Sequence, residues 1–148
     1  MLKKEYITKS VSETQKLAAK FAQNLKRGEI IALSGDLGGG KTTFTQGLAK
    51  VLGIKNKITS PTFVLIKEYK INLKHSNLCL KSQNLVHIDL YRLKKIDPIF
   101  KKELKEYFNS QNICIIEWAK KIKGILPSKT KWIKFEFVNE NSRQIIFC

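Results

Sequence analysis

Cysteine and arginine are scarce in this chain, long apolar runs are missing, and each scarcity removes a class of protein. The three cysteines, Cys79, Cys114 and Cys148, are odd in number and far apart, which gives neither a disulfide framework nor the paired spacing of a zinc knuckle. Cys114 falls within the apolar run 113–116, where a thiol serves as a small core residue. No stretch approaches the roughly 18 apolar residues of a membrane span. The N-terminal residues, Met1-Leu-Lys-Lys-Glu-Tyr, hold no apolar signal region. The expectation is a reducing, cytoplasmic setting with no membrane partner.

Arg27, Arg92 and Arg143 are the only arginines, so lysine supplies nearly all of the positive charge behind a formal net charge of +16. A field of that size attracts nucleic acid, acidic proteins and phosphorylated ligands. The lysines are scattered, however, and not interleaved with aromatics as in a built nucleic-acid surface. Isoleucine and asparagine are abundant too, so the excess reads as a compositional bias spread over a solvated surface. In such a chain an arginine marks a place where a planar, multi-donor contact is wanted, and Arg143 is a candidate for phosphate or carboxylate.

What remains is ordinary globular material: 148 residues, 43% hydrophobic and 27% charged, enough for one domain over residues 1–148 with one core. Ser10 to Glu13 reads as a capping box opening a helix, with Leu17, Ala18, Phe21, Ala22 and Leu25 at helical spacing and Lys26-Arg27-Gly28 as its end. The run 29–34 reads as a buried strand, followed by a glycine-rich turn and a helix from Lys41 that carries Phe44, Leu48, Val51 and Leu52 inward and stops at Gly53. Residues 59–62 form a loop, 63–71 a strand, and 72–83 a polar, lysine-rich loop or irregular hairpin. Strands follow at 85–90 and 113–118, with a helix between them that Asp97 caps and Pro98 opens. Residues 132–138 and 143–147 close the chain as paired strands around the turn Asn139 to Ser142. Alternating strands and helices imply an α/β fold: a P-loop NTPase-like domain with a mostly parallel central sheet, flanking helices and antiparallel strands at the edge.

The segment Gly35-Asp-Leu-Gly-Gly-Gly-Lys-Thr42 matches G-x-x-x-x-G-K-[ST] residue for residue. A phosphate cradle needs main-chain amides turned inward together, which glycine allows at Gly38, Gly39 and Gly40. The helix starting at Lys41 aims its positive end and unpaired amides at the same anion. Lys41 then reaches the β and γ phosphates, the Thr42 hydroxyl ligates magnesium, and Thr43 adds a contact near the α phosphate. The motif follows a strand and opens a helix, the context it requires, so ATP and Mg2+ are the expected ligands.

Such a site also needs acids at the ends of neighbouring strands. Asp89 ends the run Leu85-Val-His-Ile, and Glu117 ends Ile113-Cys-Ile-Ile, where an ionised carboxylate after so apolar a strand needs a partner such as a metal. Both are candidate catalytic residues beside Lys41, with the division of labour between them open. His87 is either a base or a partly buried hydrogen-bonding side chain, and the second suits phosphoryl transfer better, because that chemistry asks for positioning and charge.

Taken together, these residues resemble the TsaE family, the small ATPases required with TsaB and TsaD for threonylcarbamoyladenosine formation on bacterial tRNA. The likeness runs through nearly the whole chain: the helix start leading to Thr14, Gly35 to Phe44, Ser60-Pro-Thr-Phe63, His87-Ile-Asp-Leu-Tyr-Arg92, Ile116-Glu-Trp118 and Leu126-Pro127. The resemblance implies ATP on Gly38 to Thr43, magnesium on Thr42 and Glu117, and Asp89 near the metal or the attacking water. It also implies a switch-like loop at Thr59 to Thr62, a base contact near Val11 to Thr14, a nucleotide contact by Arg143, and Trp118 packed beside Glu117. The partners implied are TsaB and TsaD, with tRNA met indirectly and carbamoyl transfer left to TsaD. Departures are Gly39 in place of the more usual Ala, Ala119 in place of Pro, the sequence of 99–104, and the long loop 72–83.

Two other readings share the motif. A small-molecule or nucleoside P-loop kinase needs a second pocket and an arginine-bearing lid, for which three arginines and the segment after Glu117 offer little. A basic scaffold with structural nucleotide is favoured by the charge and disfavoured by the strand-end acids.

Overall fold

The computed structural model describes residues 2–60, 64–74 and 80–148. Seven strands form one sheet in the order β1-β7-β6-β2-β5-β4-β3. These are β1 (Lys4–Thr8), β2 (Ile30–Gly35), β3 (Ile66–Lys70), β4 (Asn84–Asp89), β5 (Asn112–Glu117), β6 (Lys131–Phe137) and β7 (Arg143–Phe147). The central strands β6, β2, β5 and β4 are parallel, whereas β3, β7 and β1 pair antiparallel at the margins. This is the α/β arrangement expected, with its antiparallel edges.

Both faces of the parallel strands are covered, which explains their unbroken apolar runs. In β2, Ile31 and Leu33 face one way, against helix α1 (Val11–Ala22) and helix α2 (Lys41–Val51), in a core shared with Phe44, Leu48, Ala18 and Phe135. Ile30 and Ala32 face the other way, toward Leu104 of helix α3 (Pro98–Glu106) and Ile122 of the 3-10 stretch Ala119–Ile125. Phe44 lies fully buried in an aromatic group, its ring 5.8 Å from Phe21 and 5.6 Å from Phe135. Burial on this scale, about 25 cal/mol per Å² of apolar surface, seats α2 against the sheet and so fixes where its first turn points.

Local signals set the helix starts. The Ser10 hydroxyl accepts the Glu13 amide at 3.1 Å, and Glu13 reaches back to the Lys9 amide at 2.7 Å, one residue before the reciprocal partner of an ideal box. Asp97 accepts the Phe100 amide at 2.9 Å, with Pro98 opening the helix. The first helix is shorter than expected, ending at Ala22; Gly28, with φ of 72°, sits beyond it in a separate turn. The expected strand 63–71 is ordered as Ile66–Lys70, and Phe63 lies outside the described residues. Residues 72–74 and 80–83 contain no strand.

Two elements carry no clear signal in the sequence. Strand β1 is mostly exposed and gains its form by pairing with β7, Tyr6 meeting Phe147 edge-to-face at 5.6 Å. The 3-10 stretch follows Trp118, whose backbone is left-handed with φ of 61°, an uncommon state for a bulky residue.

Candidate functional site

Parallel pairing brings the carboxyl ends of β2, β5 and β4 to one edge of the sheet, where open α/β sheets bind their ligands. Strand β2 ends at Gly35, β4 at Asp89 and β5 at Glu117, with Asp89 and Glu117 in direct register. Gly35 is required sterically: a Cβ there would lie 1.8 Å from the Phe135 carbonyl oxygen of β6, and its φ is 119°. The chain then turns through Gly38 and Gly40, with φ of 72° and 98°, and enters α2 at Lys41. The first amides of an α-helix lack an intrahelical acceptor, which leaves those at the start of α2 available to an anion. At Gly39 a Cβ would meet the Asp36 carbonyl oxygen at 2.9 Å, so an alanine there requires a small shift of the turn.

Lys41 folds back into this turn, its ammonium donating to the carbonyl oxygens of Gly35 at 3.0 Å and Asp36 at 2.5 Å. The same nitrogen lies 4.4 Å from the centre of the Trp118 ring. Burial lowers the pKa of Lys41 below its ordinary value, and Glu117, Asp36 and Asp89 oppose that shift by charge. The Thr42 hydroxyl donates to Glu117, 3.0 Å from Oε1 and 3.2 Å from Oε2. Asp89 accepts from the Ser60 hydroxyl on one oxygen and from the Tyr91 amide at 2.9 Å on the other. Lys41, Asp89 and Glu117 are 5%, 6% and 3% exposed, so each charge depends on the others and on these hydrogen bonds.

The anticipated site residues come together. Gly38, Gly39, Gly40, Lys41, Thr42, Thr43, Asp89, Glu117 and Arg143 all line one cleft of about 650 Å³, which Ser10, Val11 and Thr14 line as well. Arg143 braces the loop, its Nε donating to the Gly38 carbonyl oxygen at 2.6 Å and its Nη1 to the Asn139 carbonyl oxygen at 2.6 Å. Its guanidinium covers the Phe137 ring at 4.8 Å. Trp118 follows Glu117 directly and packs against the Tyr91 ring in a tilted pair, centroids 5.0 Å apart. In the anticipated switch loop, Ser60 contacts Asp89, while Pro61 and Thr62 lie outside the described residues.

Two further contacts complete the site. His87, fully buried, lies with Nε2 2.9 Å from Glu117 Oε1. The Lys121 ammonium donates to the carbonyl oxygens of Leu90, Tyr91 and Leu93 at 2.8, 2.8 and 2.6 Å, clamping the chain just after Asp89. Only the alternation around His87 hinted at its inward direction; the Lys121 clamp depends on two distant segments meeting.

A strand, a glycine turn, a helix and two strand-end acids in this topology make a P-loop NTPase-like domain. The chain belongs to the TsaE family, whose profile, described as "Threonylcarbamoyl adenosine biosynthesis protein TsaE", matches residues 8–145. The tRNA threonylcarbamoyladenosine biosynthesis protein TsaE of Bacillus subtilis is 38% identical over 140 residues, covering 95% of this chain and 82% of that one. The TsaE protein of Aquifex aeolicus is 38% identical over 146 residues, covering 97% and 95%. The crystal structure of Bacillus subtilis YdiB superposes with a TM-score of 0.76 at 34% identity, covering 99% of this chain and 84% of that one. The family role is tRNA threonylcarbamoyladenosine biosynthesis, and a nucleotide-binding loop is consistent with it. No helix among the described residues is long and apolar enough to cross a membrane.

Proposed function

We propose that this chain is a P-loop ATPase that binds ATP with Mg2+ in the cleft and acts with TsaB and TsaD in forming threonylcarbamoyladenosine on tRNA. The observation that carries the reading is the contact of Thr42 with Glu117 at the mouth of the glycine turn. A hydroxyl beside a carboxylate is a pair of hard oxygen donors, the chemistry magnesium prefers. No group of three or more His, Cys, Asp or Glu side chains that could hold a metal exists among the described residues. That fits an ion completed by phosphate and water, since magnesium commonly takes only one or two protein carboxylates.

In this reading the amides of Gly38 to Thr43 receive the phosphate oxygens. Lys41 leaves the Gly35 and Asp36 carbonyls and turns its ammonium to the β and γ phosphates, and the negative charge of the ligand offsets the cost of its burial. When bound, magnesium neutralises charge on the β- and γ-phosphoryl oxygens. Thr42 and Glu117 hold the metal side, and Asp89 orients the water that attacks the γ phosphorus as ADP leaves. Arg143 keeps the glycine turn closed on the nucleotide, and the wall at Val11 to Thr14 meets the base. Turnover is slow in the isolated chain and is raised by TsaB and TsaD, with the carbamoyl transfer to tRNA left to TsaD. The reactions take place in the cytoplasm.

Calorimetry in magnesium buffer tests binding: a folded sample that takes up neither ATP nor ADP refutes the reading. An ATPase assay with and without purified TsaB and TsaD tests the role, with stimulation expected. Lys41→Ala and Glu117→Ala should abolish the stimulated turnover, and near-normal rates in either variant refute that residue's assignment. Steady ADP production that depends on an added small metabolite, without partner proteins, points to a kinase instead.

A further inference from the structure

The carboxylate of Glu117 is the hinge of the site, and hydrogen bonds at its two oxygens decide how it is turned. The torsion that rotates a glutamate carboxylate is soft, without sharp staggered wells. The Thr42 hydroxyl does not fix it, because that hydroxyl lies nearly equidistant from the two oxygens, at 3.0 and 3.2 Å. His87 breaks the symmetry: its Nε2 lies 2.9 Å from Oε1.

The placement of His87 follows from the sheet. His87 pairs with Ile115 and Asp89 with Glu117 across the parallel strands β4 and β5. His87 therefore shares a face with Asp89 two residues on, and reaches Glu117 diagonally. Its ring is fully buried, so packing leaves it little freedom. A carboxylate only accepts, so Nε2 carries the proton and donates. Nδ1 has no hydrogen-bond partner among the described residues. An apolar side chain would fill the same space without that polar atom. The imidazole is retained at a cost in burial, and what it provides is the bond to Glu117.

We propose that His87 is a positioning residue that fixes the rotation of the Glu117 carboxylate and thereby sets the affinity of the site for magnesium-bound nucleotide. The inference rests on the ATP and magnesium reading above. Hydrogen-bond partners behind a metal ligand commonly change metal affinity about 10- to 100-fold when removed, and His87 holds that place behind Glu117.

The test compares His87→Leu, which keeps bulk and removes the donor, with His87→Gln, whose side-chain amide restores an N–H at similar reach. ATP binding is measured by calorimetry in excess magnesium and in EDTA. In His87→Leu, affinity in magnesium should fall about 10-fold or more while affinity in EDTA stays near wild type, and His87→Gln should recover most of the loss. Equal magnesium dependence in wild type and His87→Leu overturns the proposal, as does an equal loss with and without the metal. If neither variant folds, nitrogen NMR of the His87 ring in the nucleotide-free wild type decides. A proton on Nε2 is expected, and a proton on Nδ1 alone overturns the proposal. A wild-type protein whose ATP affinity gains nothing from magnesium sinks the parent reading instead, and the ring tautomer still reports on the bond itself.

Discussion

Glu117 and Cys114 stand three residues apart on β5, both buried, and they show how differently one strand can treat a titratable group. Glu117 has a hydroxyl, an imidazole and a nearby ammonium to meet its charge. Among the described residues, Cys114 has a weak contact to the Tyr107 carbonyl oxygen at 3.4 Å. Burial, aided by the charge of Glu68, pushes its thiol from the ordinary 9.0 up to about 12. At pH 8 the thiolate is then about one part in ten thousand, too little for ready alkylation. In a Cys79→Ser background, the exposed Cys148 should react with iodoacetamide within minutes while Cys114 stays intact until the protein is unfolded. Mass spectrometry of the peptides checks this, and labelling of Cys114 in folded protein contradicts it. The linkage has a definite sign: a folded-state value above the unfolded one means the stabilisation is full below pH 9.0 and is lost as pH rises toward about 12.

Helix α2 delivers Lys41, Thr42 and Thr43, so the site depends on how that helix is seated. Its contact with α1 is unusually close at Gly47, where a Cβ would fall 2.6 Å from both the Cα and the carbonyl oxygen of Gln15. Backbone atoms cannot swing aside as a flexible side chain can, so Gly47→Ala forces the helices apart. Despite alanine's better helix propensity, worth about 1 kcal/mol, the net effect should be a loss of about 1 to 3 kcal/mol, as for other overpacked cores. Urea unfolding measures it, and an unchanged or raised midpoint contradicts the helix contact. Gly47 itself is invisible as a close approach in the sequence, where it reads as one glycine in a helical pattern. The same limit explains what else was hidden. The central strands and the glycine turn were legible because their signals are local: apolar runs, a cap, a phosphate motif. Strand β1 was not, since its residues are mostly exposed and its order comes from β7 at the far end of the chain. The acids Asp89 and Glu117 could be picked out as strand ends, but their register, and the arrival of His87 and Ser60 at them, are products of strand order.

The charge of the molecule as a body poses a separate question, because +16 on 148 residues attracts RNA whether or not any surface is built for it. A field made by scattered lysines binds phosphates without reading bases, and its signature is steep salt dependence. A footprint engaging roughly four phosphates should weaken about a hundredfold between 50 and 200 mM salt. The expectation is that tRNA and an unrelated RNA of equal length bind alike at low salt and are both released at 200 mM. Fluorescence anisotropy over a salt series measures this directly. ATP should change little, because the cleft is lined by the glycine turn and the strand-end acids, and Lys41 is buried and held by carbonyls. If tRNA stays bound at 200 mM in preference to the unrelated RNA, the surface holds an ordered set of contacts, and tRNA is met directly rather than through TsaB and TsaD. Equal and salt-labile binding instead leaves the lysines as a solvated surface with no tRNA recognition of its own.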